Sequence, residues 1–262
     1  MSARVGVSSA CFYPLETEKS LELVGKCGFQ STELFLNSFS EINDSFLNQY
    51  LQIKDKYGID IVSVHPFQSF AESFYLFSNY KRRWDDILPL YDSLFKFTSQ
   101  LGADIFVFHG LKIPGSIDDE EYCRRFAHLI EMGGEYGVRV CHENVVKHRG
   151  ESPGYLKMMR DYIGDSFNIV LDIKQTRRAG YKPADFLDKL SDSIAHIHIS
   201  DKNDKLDCVT PLKGDFDFNE FFTSVEKSGY NGKYMIELYE WSYSDVQEIC
   251  NAYNTLNKII QK

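Results

Sequence analysis

The feature that most constrains the fold is a repeated alternation of short apolar β-like runs with longer segments of helical pattern. Eight such runs follow one another along the 262 residues: 4–10, 31–37, 60–66, 103–110, 138–144, 168–175, 194–201 and 233–239. Strands that are separated by helices pair in parallel through right-handed crossovers. The alternation therefore predicts a parallel sheet that is covered by helices.

Helix-terminating signals fall between these runs and support the same reading. Glycine follows the predicted helices 17–27, 45–57, 80–101 and 118–136, and further helices are predicted to start at Ser152-Pro153 and Asp217, with a last one at 243–261. Eight strand–helix units predict an α/β protein with a single (β/α)8 TIM barrel domain over 1–262. The alternative is an open doubly wound sheet, but SSACFYP follows the first run instead of a glycine-rich GxGxxG turn.

Charge and cysteine usage narrow the class of protein. The chain has 29 Lys and Arg against 38 Asp and Glu, a net charge of −9, which disfavours nucleic acid and anionic membranes as partners. Neither an apolar stretch of a signal peptide nor a window long enough to span a membrane occurs. The six cysteines are scattered without CxxC spacing, as expected of reduced thiols. We therefore expect a cytoplasmic protein.

The ends of the predicted strands carry a concentration of histidines and carboxylates. Strands 3 to 8 end at His65, His109, Glu143, Asp172, His196 with His198, and Glu237, and strand 2 adds Glu33 at a deeper position. A barrel of this type places its active site at the carboxyl ends of its strands. Six consecutive strands are therefore predicted to deliver such side chains to one rim.

Strand parity indicates which of these side chains point into the barrel. Alternate residues of a strand face opposite sides, so Ala195, Ile197 and Ile199 are predicted to face the helices while His196 and His198 face inward. His142 is expected to face outward, between strand and helix. His196 is interpreted either as a substrate contact or as a hydrogen-bonding group inside the barrel.

Four of the inward groups form a candidate metal site. A single carboxylate at a strand end is more often a structural ion pair, but ligand-type residues end four successive strands, at Glu143, Asp172, His198 and Glu237. Three carboxylates and one imidazole make a hard, mostly oxygen site. The sequence therefore predicts one divalent cation, with Mn²⁺ preferred and Mg²⁺, Co²⁺ or Zn²⁺ as alternatives.

Short motifs resemble those of the xylose-isomerase-like barrel superfamily, in the same order and spacing. They are CHEN at 141–144, LDIKQ at 171–175, HIHISD at 196–201, GDFDF at 214–218 and IELY at 236–239. The superfamily contains sugar epimerases and isomerases, dehydratases, and apurinic endonucleases of the endonuclease IV type. The resemblance implies that Glu143, Asp172, His198 and Glu237 are metal ligands. It also implies that Glu143 and Glu237 form the catalytic acid/base pair.

Two departures from the family pattern bear on function. The family often has histidine where this chain has Gln175, which follows Lys174, and an amide cannot transfer protons. The endonucleases carry Asp-x-His in a region that here reads DKLDCVTPLKG, at 204–214, without histidine. A three-metal phosphodiesterase site is therefore expected to be incomplete.

The predicted function is that of a metal-dependent isomerase or epimerase, acting on a sugar or sugar phosphate through an enediolate. The alternatives are a dehydratase or lyase on a polyol or keto acid, an endonuclease IV-like hydrolase, and a non-catalytic ligand-binding barrel. The predicted substrate-binding residues are His65, His109, Lys174, Gln175, Arg178 and His196. His65 and His109 could equally be satisfied turn histidines. A homo-oligomer is left open.

Two further groups of side chains are assigned to the rim. Basic residues in the loops after strands 5 to 7 are either solvated charges or an anion site for a phosphate or carboxylate: Lys147, Arg149, Lys174, Arg177, Arg178 and Lys202. Aromatic residues near strand ends are expected mainly to pack, with one or two stacking on a sugar: Phe12, Tyr13, Phe35, Phe67, Phe70 and Tyr239.

Overall fold

A closed parallel barrel organises the chain, as the alternation predicts. The computed structural model describes residues 3–67 and 71–261. Within these ranges the strands pair in the order β1 to β8, and β8 closes the barrel on β1. The strands are β1 Val5–Ser8, β2 Ser31–Leu36, β3 Asp60–Pro66, β4 Ile105–Phe108, β5 Arg139–Glu143, β6 Asn168–Asp172, β7 Ile194–Ile199 and β8 Tyr234–Ile236.

Helices cover the outside of the barrel. They are α1 Thr17–Lys26, α2 Asp44–Tyr57, α3 Lys81–Gln100, α4 Asp119–Gly134, α5 Pro153–Ile163, α6 Ile173–Arg178, α7 Pro183–Leu190, α8 Phe218–Lys227 and α9 Val246–Ile260. The predicted N-caps are confirmed, because the side chain of Ser152 accepts a hydrogen bond from Tyr155 N and that of Asp217 from Glu220 N. Among the helices that the described residues form, none has both the length and the apolar character needed to cross a bilayer.

The core lies mainly between the barrel and the helix layer. Phe106 and Phe108 on β4 point outward, and their rings contact Phe95 on α3 and Phe126 on α4, with centroids 5.0 and 5.3 Å apart. Full burial of such a side chain contributes about 1.5–3 kcal/mol. The interleaved residues Ile105 and Val107 pack instead with Cys141, Val170 and Ala195, inside the barrel.

Ala195 corrects the parity prediction for β7. It was expected to face the helices with Ile197 and Ile199, but it packs in the interior cluster. The register between β6 and β7 shifts at this point, because Ile169 pairs with Ile194 and Val170 pairs with His196. The extra residue is a bulge, which reverses the orientation of one position without changing the inward aim of the residues that follow.

His142 faces outward, as predicted, and is fully buried in the helix layer. Its Nε2 lies 2.5 Å from the hydroxyl of Tyr122, and its Nδ1 lies 2.9 Å from Glu143 O. A Cβ built at Gly110 or Gly150 would collide with the His142 ring, so both glycines make room for it. Burial lowers the pKa of His142 to about 3, which keeps the ring neutral at ordinary pH.

Strand β6 is shorter than predicted. The run 168–175 was expected to be a strand throughout, but β6 ends at Asp172 and α6 begins at Ile173. The reason is local, because Oδ1 of Asp172 accepts hydrogen bonds from the backbone N–H groups of Lys174 (2.6 Å) and Gln175 (3.0 Å). Asp172 therefore caps a helix at the position where the sequence predicts a metal ligand.

Asp201 organises the long loop between β7 and α8. Its fully buried carboxylate accepts four backbone N–H bonds, from Lys202 (2.7 Å), Leu212 (3.0 Å), Gly214 (3.0 Å) and Phe216 (3.1 Å). A Cβ at Gly214 would overlap the carbonyl oxygen of Lys202. The HIHISD and GDFDF motifs therefore hold one loop in a fixed shape beside the mouth of the barrel.

Candidate metal centre

Four side chains from successive strand ends converge at the mouth of the barrel. Each of Glu143, Asp172, His198 and Glu237 offers one ligand atom, and these atoms lie within 4.8 Å of one another. His198 Nδ1 lies 3.5 Å from Glu143 Oε1 and 3.7 Å from Glu237 Oε2. Glu237 follows β8 by one residue, and the other three end or lie on their strands. The structure thus brings together the four residues that the sequence predicts as ligands.

An unpaired imidazole nitrogen shows that this group fits a cation. Among the described residues, His198 Nδ1 is buried without a hydrogen-bond partner, whereas Asp172 Oδ2 lies 3.2 Å from Lys174 Nζ and Glu143 Oε2 lies 2.8 Å from His109 Nε2. Leaving such a nitrogen unpaired costs roughly 1–3 kcal/mol, so native structures rarely do so without a reason. Oxygen and imidazole donors that face one point are the arrangement that divalent metals such as Mn²⁺ and Zn²⁺ use. The residues therefore fit the predicted metal.

Glu33 lies one layer deeper and fixes the orientation of His198. Its Oε2 lies 3.0 Å from His198 Nε2 and 3.3 Å from His196 Nε2, and it accepts a hydrogen bond from the Ser63 hydroxyl at 2.9 Å. Burial alone would raise the pKa of Glu33, but the surrounding imidazoles outweigh it and hold that pKa well below its usual range. A carboxylate behind a ligating histidine is a common way to fix which nitrogen faces a metal.

Lys174 is a buried cation within the same group. Its Nζ lies 2.8 Å from Glu237 Oε2 and 3.2 Å from Asp172 Oδ2, and its side chain is 3% exposed. Burial opposes its charge, but the two carboxylates raise the pKa of Lys174 well above its ordinary value. The ammonium also lies 4.7 Å from the ring centre of Tyr239. Lys174 therefore neutralises part of the carboxylate charge.

A second group of donors adjoins the first and shares Glu143 with it. The Nε2 atoms of His65 and His109 are 2.7 Å apart, and His109 Nε2 lies 2.8 Å from Glu143 Oε2. Ligand atoms of these three residues also lie within 4.8 Å of one another. Burial lowers the pKa of His65, but Glu237 and Glu33 outweigh it and raise the value to about 9.

A pocket of about 520 Å³ opens above these groups. Of the predicted substrate-binding residues, His65, His109, Lys174 and Gln175 line it. His196 is fully buried beneath it, against Glu33 and Ser63. Arg178 lies outside the lining and pairs with Asp207, at 2.6 Å, and with the Tyr239 hydroxyl, at 2.8 Å.

Among the described residues, the side chains of five of the six rim cations that the sequence groups together have partners. Beside Lys174 and Arg178, Lys202 pairs with Asp215 at 2.9 Å and Arg149 pairs with Asp119 at 2.9 Å. Arg177 donates to backbone carbonyls, including that of Asp207 at 3.2 Å. Carboxylates thus compensate the positive charge of four of these six cations.

Aromatic side chains form much of the pocket wall. Tyr13, Phe35, Phe67 and Tyr239, which the sequence places near strand ends, line it together with Trp241. Phe12 is instead 3% exposed and belongs to the core, and Phe70 lies outside the described residues. The sequence analysis did not identify Trp241 as a pocket residue. The available signal was its position two residues after Tyr239, just beyond the last strand.

Comparisons with known proteins agree with the fold. The sequence matches the family described as xylose isomerase-like TIM barrel over residues 21–252. The "Uncharacterized protein MJ1311" of Methanocaldococcus jannaschii is 23% identical over 252 residues, which cover 90% of this chain and 84% of that protein.

Solved structures of the same architecture superpose over nearly the whole chain. A D-tagatose 3-epimerase-like protein has a TM-score of 0.82 at 20% identity and covers 98% of this chain and 97% of its own. The IOLI protein with a bound zinc atom has a TM-score of 0.79 at 16% identity and covers 98% of both chains. From the barrel, the ordered motifs and the extent of the match, we conclude that the chain belongs to the xylose isomerase-like TIM barrel family.

Proposed function

We propose that this protein is a divalent-metal-dependent sugar isomerase or epimerase in which Glu143 and Glu237 transfer protons. The single observation that carries the proposal is the position of His198 Nδ1, which faces both glutamates at 3.5 and 3.7 Å without a hydrogen bond. Two carboxylates that share a buried site repel each other unless a cation lies between them. Their arrangement around one imidazole nitrogen supports metal binding together with proton transfer.

Each side chain has a role that follows from its position. Glu143, Asp172, His198 and Glu237 would hold the cation, which supplies positive charge that polarises a substrate carbonyl. One glutamate takes the proton from the carbon beside that carbonyl, and the other returns a proton. Return on the opposite face of the same carbon gives epimerisation, and return on the neighbouring carbon gives isomerisation. His65 and His109 in the pocket wall would donate hydrogen bonds to substrate oxygens.

Solvent exchange tests this proposal directly. The Mn²⁺-loaded protein, incubated in D2O with a panel of ketoses, sugar phosphates and keto acids, is expected to incorporate deuterium beside the carbonyl of at least one compound. Glu143→Gln and Glu237→Gln should each abolish exchange, whereas Glu131→Gln, at an exposed position on α4, should not alter it. Loss of water from the product would assign dehydration instead. Absence of exchange from every compound by a metal-loaded protein would contradict catalysis and favour a ligand-binding barrel.

A second candidate is an endonuclease-like hydrolase, which one observation favours. The His65, His109 and Glu143 group adjoins the first site and could hold a second ion, and paired metals serve phosphodiester hydrolysis. The net charge of −9 and the compensated rim cations oppose binding of a nucleic-acid backbone. Cleavage of an abasic-site duplex with Zn²⁺ or Mn²⁺ would establish this alternative, and we expect none.

A further inference from the structure

We infer that the substrate is a neutral sugar that carries a second ring, and not a free monosaccharide or a sugar phosphate. This inference rests on the proposed function, because it concerns the substrate of that same site. Three observations of the pocket carry it: its size, the position of its aromatic side chains, and the carboxylate partners of its lining lysine.

The pocket is larger than one sugar ring needs. Its volume of about 520 Å³ falls within the roughly 300–1,000 Å³ of pockets that bury drug-sized ligands. The candidate ligands Glu143 and Glu237 line it from below, and Trp241 and Tyr13 line it near the surface. A sugar whose carbonyl lies against the glutamates would therefore leave the outer part of the pocket to another group.

The outer part is built to contact a flat, partly apolar group. Trp241 stacks on Tyr239 with ring centres 4.5 Å apart and an angle of 11° between the planes. Trp241 remains 66% exposed and Tyr13 remains 58% exposed, although both line the pocket. Large exposed aromatic rings beside a site commonly mark a ligand surface. The apolar C–H face of a second pyranose, or an aryl ring, would cover this exposed area.

The charges near the pocket disfavour a phosphate. Among the described residues that line the pocket, Lys174 is the one Lys or Arg, and its ammonium is already bound to Glu237 and Asp172. The two lining histidines also face carboxylates, because His65 Nδ1 lies 3.5 Å from Glu237 Oε1 and His109 Nε2 lies 2.8 Å from Glu143 Oε2. The pocket wall also includes Glu240, which adds negative charge. Phosphate sites in proteins rely on uncommitted Arg, Lys or backbone N–H donors. A neutral substituent therefore fits this pocket better than an anionic one.

Three ketoses that differ only at O6 test the inference: D-fructose, D-fructose 6-phosphate and 6-O-α-D-glucopyranosyl-D-fructose. Binding to the Mn²⁺-loaded protein is measured by isothermal titration calorimetry. The glucosyl ketose is expected to bind about three- to tenfold more tightly than fructose, the size of one aromatic stacking contact, and the phosphate is expected to bind most weakly. Calorimetry ranks the compounds even if none exchanges deuterium, so this inference and the proposed function fail separately.

Variants of Trp241 locate the effect. Trp241→Ala should remove the advantage of the glucosyl ketose over fructose, and Trp241→Phe should retain most of that advantage. Tyr162→Ala on α5, which removes a ring that is 50% exposed and outside the pocket, is the matched control. The inference is overturned if the phosphate binds most tightly, if fructose and the glucosyl ketose bind equally, if no ketose binds, or if Trp241→Ala weakens all three alike.

Discussion

Nε2 of His198 lies 3.0 Å from Oε2 of Glu33, so a buried carboxylate holds the edge of the imidazole that points away from the pocket. This contact leaves Nδ1 directed at Glu143 and Glu237. Glu33→Gln replaces a charged acceptor with a neutral amide and removes the constraint on the ring. We expect the affinity for Mn²⁺ to fall about 10- to 100-fold, the usual effect of losing such a partner, as measured by calorimetric titration.

Glu41→Gln provides the control for that experiment. Glu41 is also a buried glutamate, 8% exposed, but it is not one of the candidate metal ligands or their partners. Its carboxylate accepts hydrogen bonds from the Thr17 hydroxyl and the Asn37 backbone N–H. Its substitution should lower stability without changing the metal affinity of the folded protein. Equal metal affinity in Glu33→Gln and the wild type would show that His198 needs no support from Glu33.

Lys174 and a divalent cation interact with the same two carboxylates. Lys174→Met removes the ammonium from Glu237 and Asp172, and breaking a buried ion pair typically costs about 3–5 kcal/mol. We expect the metal-free variant to melt well below the metal-free wild type. We also expect Mn²⁺ to bind roughly tenfold more tightly, because a nearby positive charge is gone. Chelation should then lower the melting temperature of the variant more than that of the wild type.

Lys157→Met on α5 is the matched control for Lys174, because its ion pair with Asp161 is largely exposed. Exposed pairs contribute about 0–1 kcal/mol, so little change is expected with or without metal. A loss of Mn²⁺ affinity in Lys174→Met would contradict the idea of competing cations. It would instead mean that Lys174 holds the carboxylates in place.

Gly214 should tolerate no side chain. In Gly214→Ala the new Cβ meets the carbonyl oxygen of Lys202, in the loop that Asp201 holds together. We expect a loss of about 1–3 kcal/mol in the free energy of unfolding, as for other overpacked sites, measured by urea denaturation. Gly154→Ala on α5, where a Cβ meets open space, should cost nothing. Similar stabilities for both variants would show that the loop adjusts freely.

Acid should destabilise the protein in part through His142. Burial lowers its folded-state pKa to about 3, against about 6.5 in the unfolded chain, so between these values the unfolded state binds more protons. Stability contributed by neutral His142 is complete above pH 6.5 and declines as the pH falls towards 3. At pH 5 the loss from this residue amounts to about 2 kcal/mol.

Unfolding of His142→Gln at pH 7 and pH 5 measures that contribution. The variant keeps a hydrogen-bonding group but cannot titrate, so its stability should fall by about 2 kcal/mol less than that of the wild type over this interval. His128→Gln, at a half-exposed position, is the control and should follow the wild type. Parallel pH profiles for His142→Gln and the wild type would contradict the predicted contribution.

The barrel and its inward residues were predictable because they depend on local, periodic signals. Glycine at helix ends and capping residues such as Ser152 and Asp217 fix the element boundaries, and strand ends then place Glu143, Asp172, His198 and Glu237 on one rim. Convergence follows from the topology alone, since parallel strands in one barrel share the same end.

Other features depend on contacts that no single stretch of sequence encodes. The bulge at Ala195 reflects the pairing of two strands, and the termination of β6 depends on the capping bonds of Asp172. The partners of the rim cations come from distant loops, as with Arg178 and Asp207. Trp241 gains its place in the pocket only when the chain after β8 folds back beside Tyr239.

The two carboxylate oxygens of Asp172 have different roles. Oδ1 caps the N-terminus of helix α6, and Oδ2 faces the other candidate metal ligands at the mouth of the barrel. A shift of this carboxylate towards a bound ion would therefore move the first turn of α6, whose residues Lys174 and Gln175 line the pocket. Ion binding at this centre and the shape of the pocket wall are therefore coupled through the side chain of Asp172.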